Sequence, residues 1–396
     1  MAPPIVDRMS AELRTTIFYI SFFMGGGAAV TFLPIWLTEK GITPDQIGII
    51  NALPIFLILA SNLLVGRVAD RASDWRQVIV IGVWLAAVIA FGLLFVNEFW
   101  GIMLVWALCA LPAGAVGPVI DAATMRMTRR NGTDFGAIRA WGTVGYLVFN
   151  AVTGFLVIWF GSDFFVPLFI GLCVIRAAAA LILPRFRAPP TELTLTAVQP
   201  SPARLSEVFK PWFLLPLIGF SMVFATHYLL NAFTALVWKE QGISADIIGP
   251  LIALAGFSEA LMMFAFRRFS HRFSARNMIL VSAICSALRW IAMGFSPTVP
   301  VLIFLQLTHS VTYALGFLGC IHFITNWTHE NVAAEAQSLF TMVQQGMAVV
   351  ALIVFGWLFT FMGAHTFFVA AGFAALGAFC IWLSLQLQQP KAVAME

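Results

Sequence analysis

The chain has 396 residues, of which 61% are hydrophobic and 10% charged, with a formal net charge of +4. So apolar a composition leaves little room for a soluble domain, and so small a charge is no sign of nucleic-acid binding. Cys109, Cys173, Cys285, Cys320 and Cys380 show no CxxC spacing, and no nucleophile elbow, phosphate loop or metal cluster suggests an enzyme.

A spanning helix needs about 20 predominantly apolar residues. Segments at roughly 15–38, 46–66, 77–96, 100–125, 137–160, 164–184, 211–237, 247–266, 277–295, 299–324, 336–361 and 364–387 meet that requirement, which predicts twelve crossings. The first is too long for a signal-peptide core and lacks a cleavage site. With the N-terminus inside, the loops on that face hold nearly all the Lys and Arg outside the spans, among them Arg14, Arg67, Arg130, Arg185 and Arg272, whereas the other face has only Lys40 and Lys239. The positive-inside rule then places both termini in the cytoplasm, as an even count requires.

Between the second and third spans lies Gly66-Arg67-Val68-Ala69-Asp70-Arg71. Gly66 permits a sharp exit or a close helix approach, and Asp70 with the arginines suits helix ends or anionic headgroups. The fourth and fifth spans meet in a polar turn over 128–134, with Asp121 and Arg139 each about nine residues from it. In an antiparallel hairpin the two come level about 13 Å from the turn. An acid and a base at equal depth predict an ion pair, either fixed or switchable. Buried pairs add little stability, which favours a functional reading.

The connection over 185–210 is the one sizeable loop and is Pro-rich (Pro189, Pro190, Pro200, Pro202). Past it the pattern repeats. Gly41–Gly48 (GITPDQIG) matches Gly242–Gly249 (GISADIIG) at five of eight positions, at an offset of 201 that also sets Arg67 on Arg268, Arg71 on Arg272 and Gly145 on Gly346. The reading is two six-span halves, 1–184 and 211–396, in parallel repeat; such halves rock about a central site. In the second half Glu259 and Arg289 flank the loop from Arg267 to Arg276 and are expected to meet within the membrane. Gln306, His309, Thr312 and Tyr313 fall on one face of a regular helix, and His309 is suited to donating to a substrate or taking a proton. His227 and Asn231 form a weaker pair on the seventh span. Arg176 and His322, nearer segment ends, read as anchors. Ionisable side chains within spans ordinarily face partners or a water-filled path, so the whole pattern points to transport.

The Gly66-x-x-x-Asp70-Arg71 pattern resembles the loop signature of the major facilitator superfamily, where it helps hold the cytoplasmic gate. Pro118–Ala122, Asp134–Tyr146 and Ser258–Leu261, with Arg289 and His309, resemble the lactose-permease branch. That resemblance implies substrate contacts at Asp121, Arg139 and Glu259, ring stacking at Tyr146, and proton coupling at Arg289. The branch's proton-carrying Glu and its Lys are replaced here by Thr312 and Gln306, so its coupling chemistry does not transfer. Arg139–Tyr146 and Gln306–Tyr313 look closer to the phenylpropionic acid transporter family, which implies proton-driven uptake of an aromatic monocarboxylate.

The expectation is therefore an all-α membrane protein, with twelve transmembrane helices in two pseudo-symmetric six-helix bundles, acting as a symporter in a bacterial inner membrane. The expected substrate set is Asp121, Arg139, Thr143, Tyr146, Glu259, Arg289, Gln306 and His309. Glu259, Arg289, His309 and Asp121 are expected to couple to protons, and Gly66, Asp70 and Arg71 to gate. Expected partners are a small-molecule substrate and the bilayer, with no nucleic acid, no cofactor beyond H+, and a monomeric chain. A sugar or nucleoside symporter, or a drug exporter, on the same fold is the alternative.

Overall fold

A computed structural model describes residues 9–186, 209–269, 272–327 and 330–387, with side chains at 62–71, 129, 267, 269, 325, 330–335 and 338 outside the description. Every regular element among the described residues is helical. The helices are α1 (Ala11–Glu39), α2 (Pro44–Arg71), α3 (Trp75–Ala90), α4 (Phe99–Asn131), α5 (Phe135–Phe160), α6 (Phe165–Leu181), α7 (Pro211–Glu240), α8 (Ala245–Phe269), α9 (Ala275–Gly294) and α10 (Val299–Leu307). A π-helical segment, Ser310–Leu315, links α10 to α11 (Gly316–Trp327), followed by α12 (Glu330–Met362) and α13 (Thr366–Gln386). Eleven stretches among the described residues are long and apolar enough to cross a membrane. The last is a 48-residue run, Leu339–Gln386, interrupted by a 3-10 turn at Gly363–His365.

Local chemistry sets the helix ends. Ser10, Asp74, Asp134 and Ser274 each accept a backbone N–H in the first turn of α1, α3, α5 and α9, satisfying donors that the helix leaves open. Asp74 also accepts from the Phe186 N–H at 3.1 Å, and Arg76 donates to the Leu181 carbonyl at 2.6 Å, so the start of α3 holds the end of α6. The repeated octapeptide has a common backbone form. Gly41 and Gly242 adopt left-handed φ of 78° and 80°. The N–H groups of Ile42 and Ile243 reach back to the Leu37 and Trp238 carbonyls at 3.0 and 2.9 Å. Each half thus ends its first helix with the same glycine-closed cap.

The chain divides into two compact units: Met1–Leu195 with Ser244–Ala253, and Thr196–Ile243 with Leu254–Glu396. In each, the first helix is the most buried span, α1 in one and α7 in the other. Glycine lets backbones touch. A Cβ at Gly27 of α1 would fall on the Tyr146 carbonyl oxygen of α5, and one at Gly145 of α5 would lie 2.5 Å from the Ile20 carbonyl oxygen of α1. In the second unit Gly219 of α7 and Gly377 of α13 oppose one another in the same way: a Cβ on either would lie 2.5 Å from the other's carbonyl oxygen. Small residues at helix crossings are what van der Waals packing within a bilayer favours. Large apolar side chains such as Phe95, Trp159, Phe264 and Phe295 point outward.

Two expectations change here. Gly66–Arg71 forms the final turns of α2 instead of a loop, since nothing in Arg-Val-Ala-Asp breaks a helix; the side chains of Gly66, Asp70 and Arg71 lie outside the described residues. Arg176 is no surface anchor: it is only 8% exposed, with its guanidinium against the Cys173 sulfur at 3.6 Å and over the Phe22 ring at 5.8 Å.

Candidate functional site

In the first unit the α4–α5 turn closes at Gly132, whose φ of 69° ends α4. It brings Asp121 and Arg139 together, with Arg139 Nε 3.5 Å from Asp121 Oδ1. Both side chains are partly open, 31% for the arginine and 41% for the acid. Tyr19 of α1 donates to the same Oδ1 at 2.7 Å and contacts the Thr124 hydroxyl at 3.4 Å. The guanidinium lies 4.1 Å from the Phe23 ring centre and 5.6 Å from that of Tyr19. Gly142 makes room for this arrangement: a Cβ there would press on Phe23, 2.7 Å away, and come within 3.4 Å of an Arg139 nitrogen. Thr143 and Tyr146, one and two turns further along α5, are half-buried, and the Tyr146 ring lies beside Gly26. Tyr19 was not among the sequence candidates. Its signal is weak: it is one of several hydroxyls, with Thr15, Ser21 and Thr31, in a long apolar run.

In the second unit Arg289 is the hub, at 2% exposed. One terminal nitrogen, Nη1, lies 3.1 Å from His309 Nδ1 and 3.0 Å from the Thr312 hydroxyl; the other donates to Gln306 Oε1 at 2.5 Å. The Trp290 ring lies 5.0 Å from the guanidinium, and its own N–H donates to Thr226 at 2.8 Å. His309 Nε2 stands 3.6 Å from Glu259 Oε2. The expected meeting of Glu259 and Arg289 is therefore indirect, with the imidazole between them. Residue counts fix the depth of two groups but not whether a third side chain fills the gap.

Gln306, His309 and Thr312 do converge, on Arg289, but not along one regular helix. The α-helical ladder stops at Leu307 and passes into the π segment. There the Thr312 carbonyl accepts the Ser282 and Ser286 hydroxyls at 2.8 and 3.2 Å. Tyr313 stacks on His309, ring centres 5.1 Å apart and 8° from parallel. His227 of α7 is fully enclosed, with Nε2 3.3 Å from the Thr312 hydroxyl and Nδ1 2.9 Å from the Val223 carbonyl. Its role exceeds what the sequence suggested; Asn231, its predicted companion, is exposed.

The first constellation pairs a cation directly with an acid and the second sets an imidazole between them; an acid beside a cation within a membrane span is the arrangement that lets a change of protonation alter what the cation binds. The profile of the MFS_1 like family matches residues 13–370. An Escherichia coli K12 protein named "Probable 3-phenylpropionic acid transporter" is 27% identical over 89% of this chain and 92% of its own. The maltose permease of Geobacillus stearothermophilus is 25% identical over 90% and 89%. Among solved structures, the nucleoside transporter NupG superposes with a TM-score of 0.81 at 18% identity, covering 96% of this chain and all of that one. With residues 13–370 under one family profile, the chain belongs to the MFS_1 like family of the major facilitator superfamily, a family of transporters and not enzymes, and is a multi-pass membrane transporter.

Proposed function

We propose that the protein is a proton-coupled symporter that imports a small aromatic monocarboxylate across a bacterial inner membrane. In this reading, twelve helices form two pseudo-symmetric bundles, 1–184 and 211–396, joined by 185–210, with both termini cytoplasmic and one chain the working unit. The observation that carries it is the setting of Arg139: partly open, paired at 3.5 Å with Asp121, and flanked by the Phe23 and Tyr19 rings. A carboxylate is the natural counter-ion for a guanidinium, and an aromatic tail matches rings at its side. While Asp121 is ionised, the arginine is partnered. When a proton neutralises Asp121, the arginine needs a new anion and the substrate supplies it. Thr143 and Tyr146, on the same helix, orient the bound molecule. In the second unit, protonation of Glu259 weakens the acceptor that His309 faces at 3.6 Å and so is felt at Arg289 without a proton crossing the imidazole, with Gln306 holding the arginine. The Escherichia coli relative's name adds support for this substrate class.

The test is proton flux into proteoliposomes holding the purified protein, with a pH dye outside and phenylpropionate added. Passive weak-acid diffusion is subtracted using protein-free vesicles. The expected result is alkalinisation outside, reduced about 10- to 100-fold in Arg139→Ala, the scale of a lost charged hydrogen bond. The maltose permease relative favours a second reading, a sugar symporter. Proton flux with neutral sugars and none with the acid would establish that reading instead.

A further inference from the structure

The contacts around Arg289 have a direction. Arginine carries only donors. His309 Nδ1, 3.1 Å from Arg289 Nη1, must therefore present its lone pair, which puts the ring hydrogen on Nε2, the nitrogen facing Glu259 Oε2. On the other arm the Thr312 hydroxyl accepts from the same Nη1 at 3.0 Å, leaving its own hydrogen to give. His227 Nδ1 lies 2.9 Å from the Val223 carbonyl, which only accepts, so His227 carries its hydrogen on Nδ1 and offers a lone pair at Nε2, 3.3 Å from that hydroxyl. The chain then runs one way on each side of the arginine: Arg289 to Thr312 to His227 to the Val223 carbonyl, and Arg289 to His309 to Glu259. The two histidines are opposite tautomers. Reversing His309 sets two donors face to face.

Thr312 is held from a second direction, since its carbonyl accepts the Ser282 and Ser286 hydroxyls. His227 is packed edge-on against Trp290, His309 and Tyr313, with ring centres 5.0, 5.2 and 5.4 Å away. We propose that His227, acting through Thr312, is a positioning residue that aims Arg289 at His309 and so keeps His309 a neutral Nε2–H donor toward Glu259 instead of a proton carrier. The charged and titratable groups facing His309 are Arg289 from α9, Glu259 from α8, His227 from α7 and Tyr313 from its own segment. A proton added to Nδ1 meets Arg289 head on. The proposal rests on the transport reading only for its biological meaning, because its test needs no substrate.

That test is nitrogen NMR of the full-length protein, labelled with 15N-histidine, in lipid bilayers. Signals are assigned by difference from His309→Gln and His227→Gln. The expected spectrum shows His309 neutral with hydrogen on Nε2 and His227 neutral with hydrogen on Nδ1, both unchanged between about pH 5 and pH 8, the range in which an unperturbed imidazole titrates. His227→Ala should convert the His309 signal to a mixture of tautomers. His227→Gln, whose side-chain oxygen can accept from Thr312 in place of Nε2, should restore it. A cationic or Nδ1–H His309 in the wild type, or a His309 signal unmoved in His227→Ala, overturns the proposal. Correct tautomers in a protein that moves no phenylpropionate overturn the substrate reading alone.

Discussion

Glu259→Gln is expected to reduce uptake driven by a pH gradient about 100-fold or more, to the level of protein-free vesicles, while counterflow of labelled solute stays within about tenfold of wild type. The scale is that of losing a group that transfers a proton. Glutamine keeps the length of the side chain and an oxygen for the His309 N–H, which approaches Glu259 to 3.6 Å. Only the titration is removed. Exchange of one solute for another at fixed protonation survives, because Arg289 keeps Gln306, Thr312 and His309 around it. Gradient-driven uptake at the wild-type rate in this variant would remove Glu259 from the coupling path. The comparison must run over initial rates, since a weak acid diffusing alone reaches the same final distribution.

Gly27→Val is expected to do its damage before transport begins. The new Cβ has nowhere to go but the Tyr146 carbonyl oxygen, and Gly145 closes the same crossing from the other side, where a Cβ would lie 2.5 Å from the Ile20 carbonyl oxygen. Backbone on both faces cannot turn aside as a side chain would. Overpacking usually costs about 1–3 kcal/mol, and two rigid main chains place this case at the upper end or beyond, about 4 kcal/mol. The readout is yield of monodisperse protein and its thermal midpoint in detergent, expected to fall by about 5–10 °C. Gly26→Ala is the control. Its Cβ would sit 3.9 Å from a Tyr146 ring carbon, an ordinary contact, so its midpoint should stay within what about 0.5 kcal/mol allows. Equal behaviour of the two variants would show that the α1–α5 crossing is not held by close backbone contact.

What the sequence displayed and what it hid differ in kind. The level placement of Asp121 and Arg139 was legible because one short turn fixes both distances. The octapeptide repeat was legible because its glycine must supply a left-handed backbone in each half. His227 was nearly invisible. It sits on α7, a helix buried on most of its faces, so no polar stripe separates a working side from a lipid side. Tyr19 was hidden likewise on α1. Arg176 misled because distance from a segment end says nothing about which way a side chain turns; it turns inward, onto Phe22. The interposed imidazole between Glu259 and Arg289 was beyond counting, because spacing gives depth and not occupancy.

The π segment at Ser310–Leu315 carries a consequence for how α11 tolerates a change in chain length. A π turn closes with i→i+5 hydrogen bonds and so holds one residue more than the α-helical turn it replaces. Removing one residue within 310–315 would let the ladder rewind, rotating everything beyond by about 100° and drawing it back about 1.5 Å. Gly316, set tightly against Phe220 and the Ser282 hydroxyl, and Gly319, against Ile279, would both lose their seats. The packing of α11 is thus written in a frame that starts at this extra residue. A single-residue deletion within 310–315 of this chain should therefore abolish transport even where the protein still inserts, because the α9–α11 contact around Gly316 and Ser282 would have to be rebuilt.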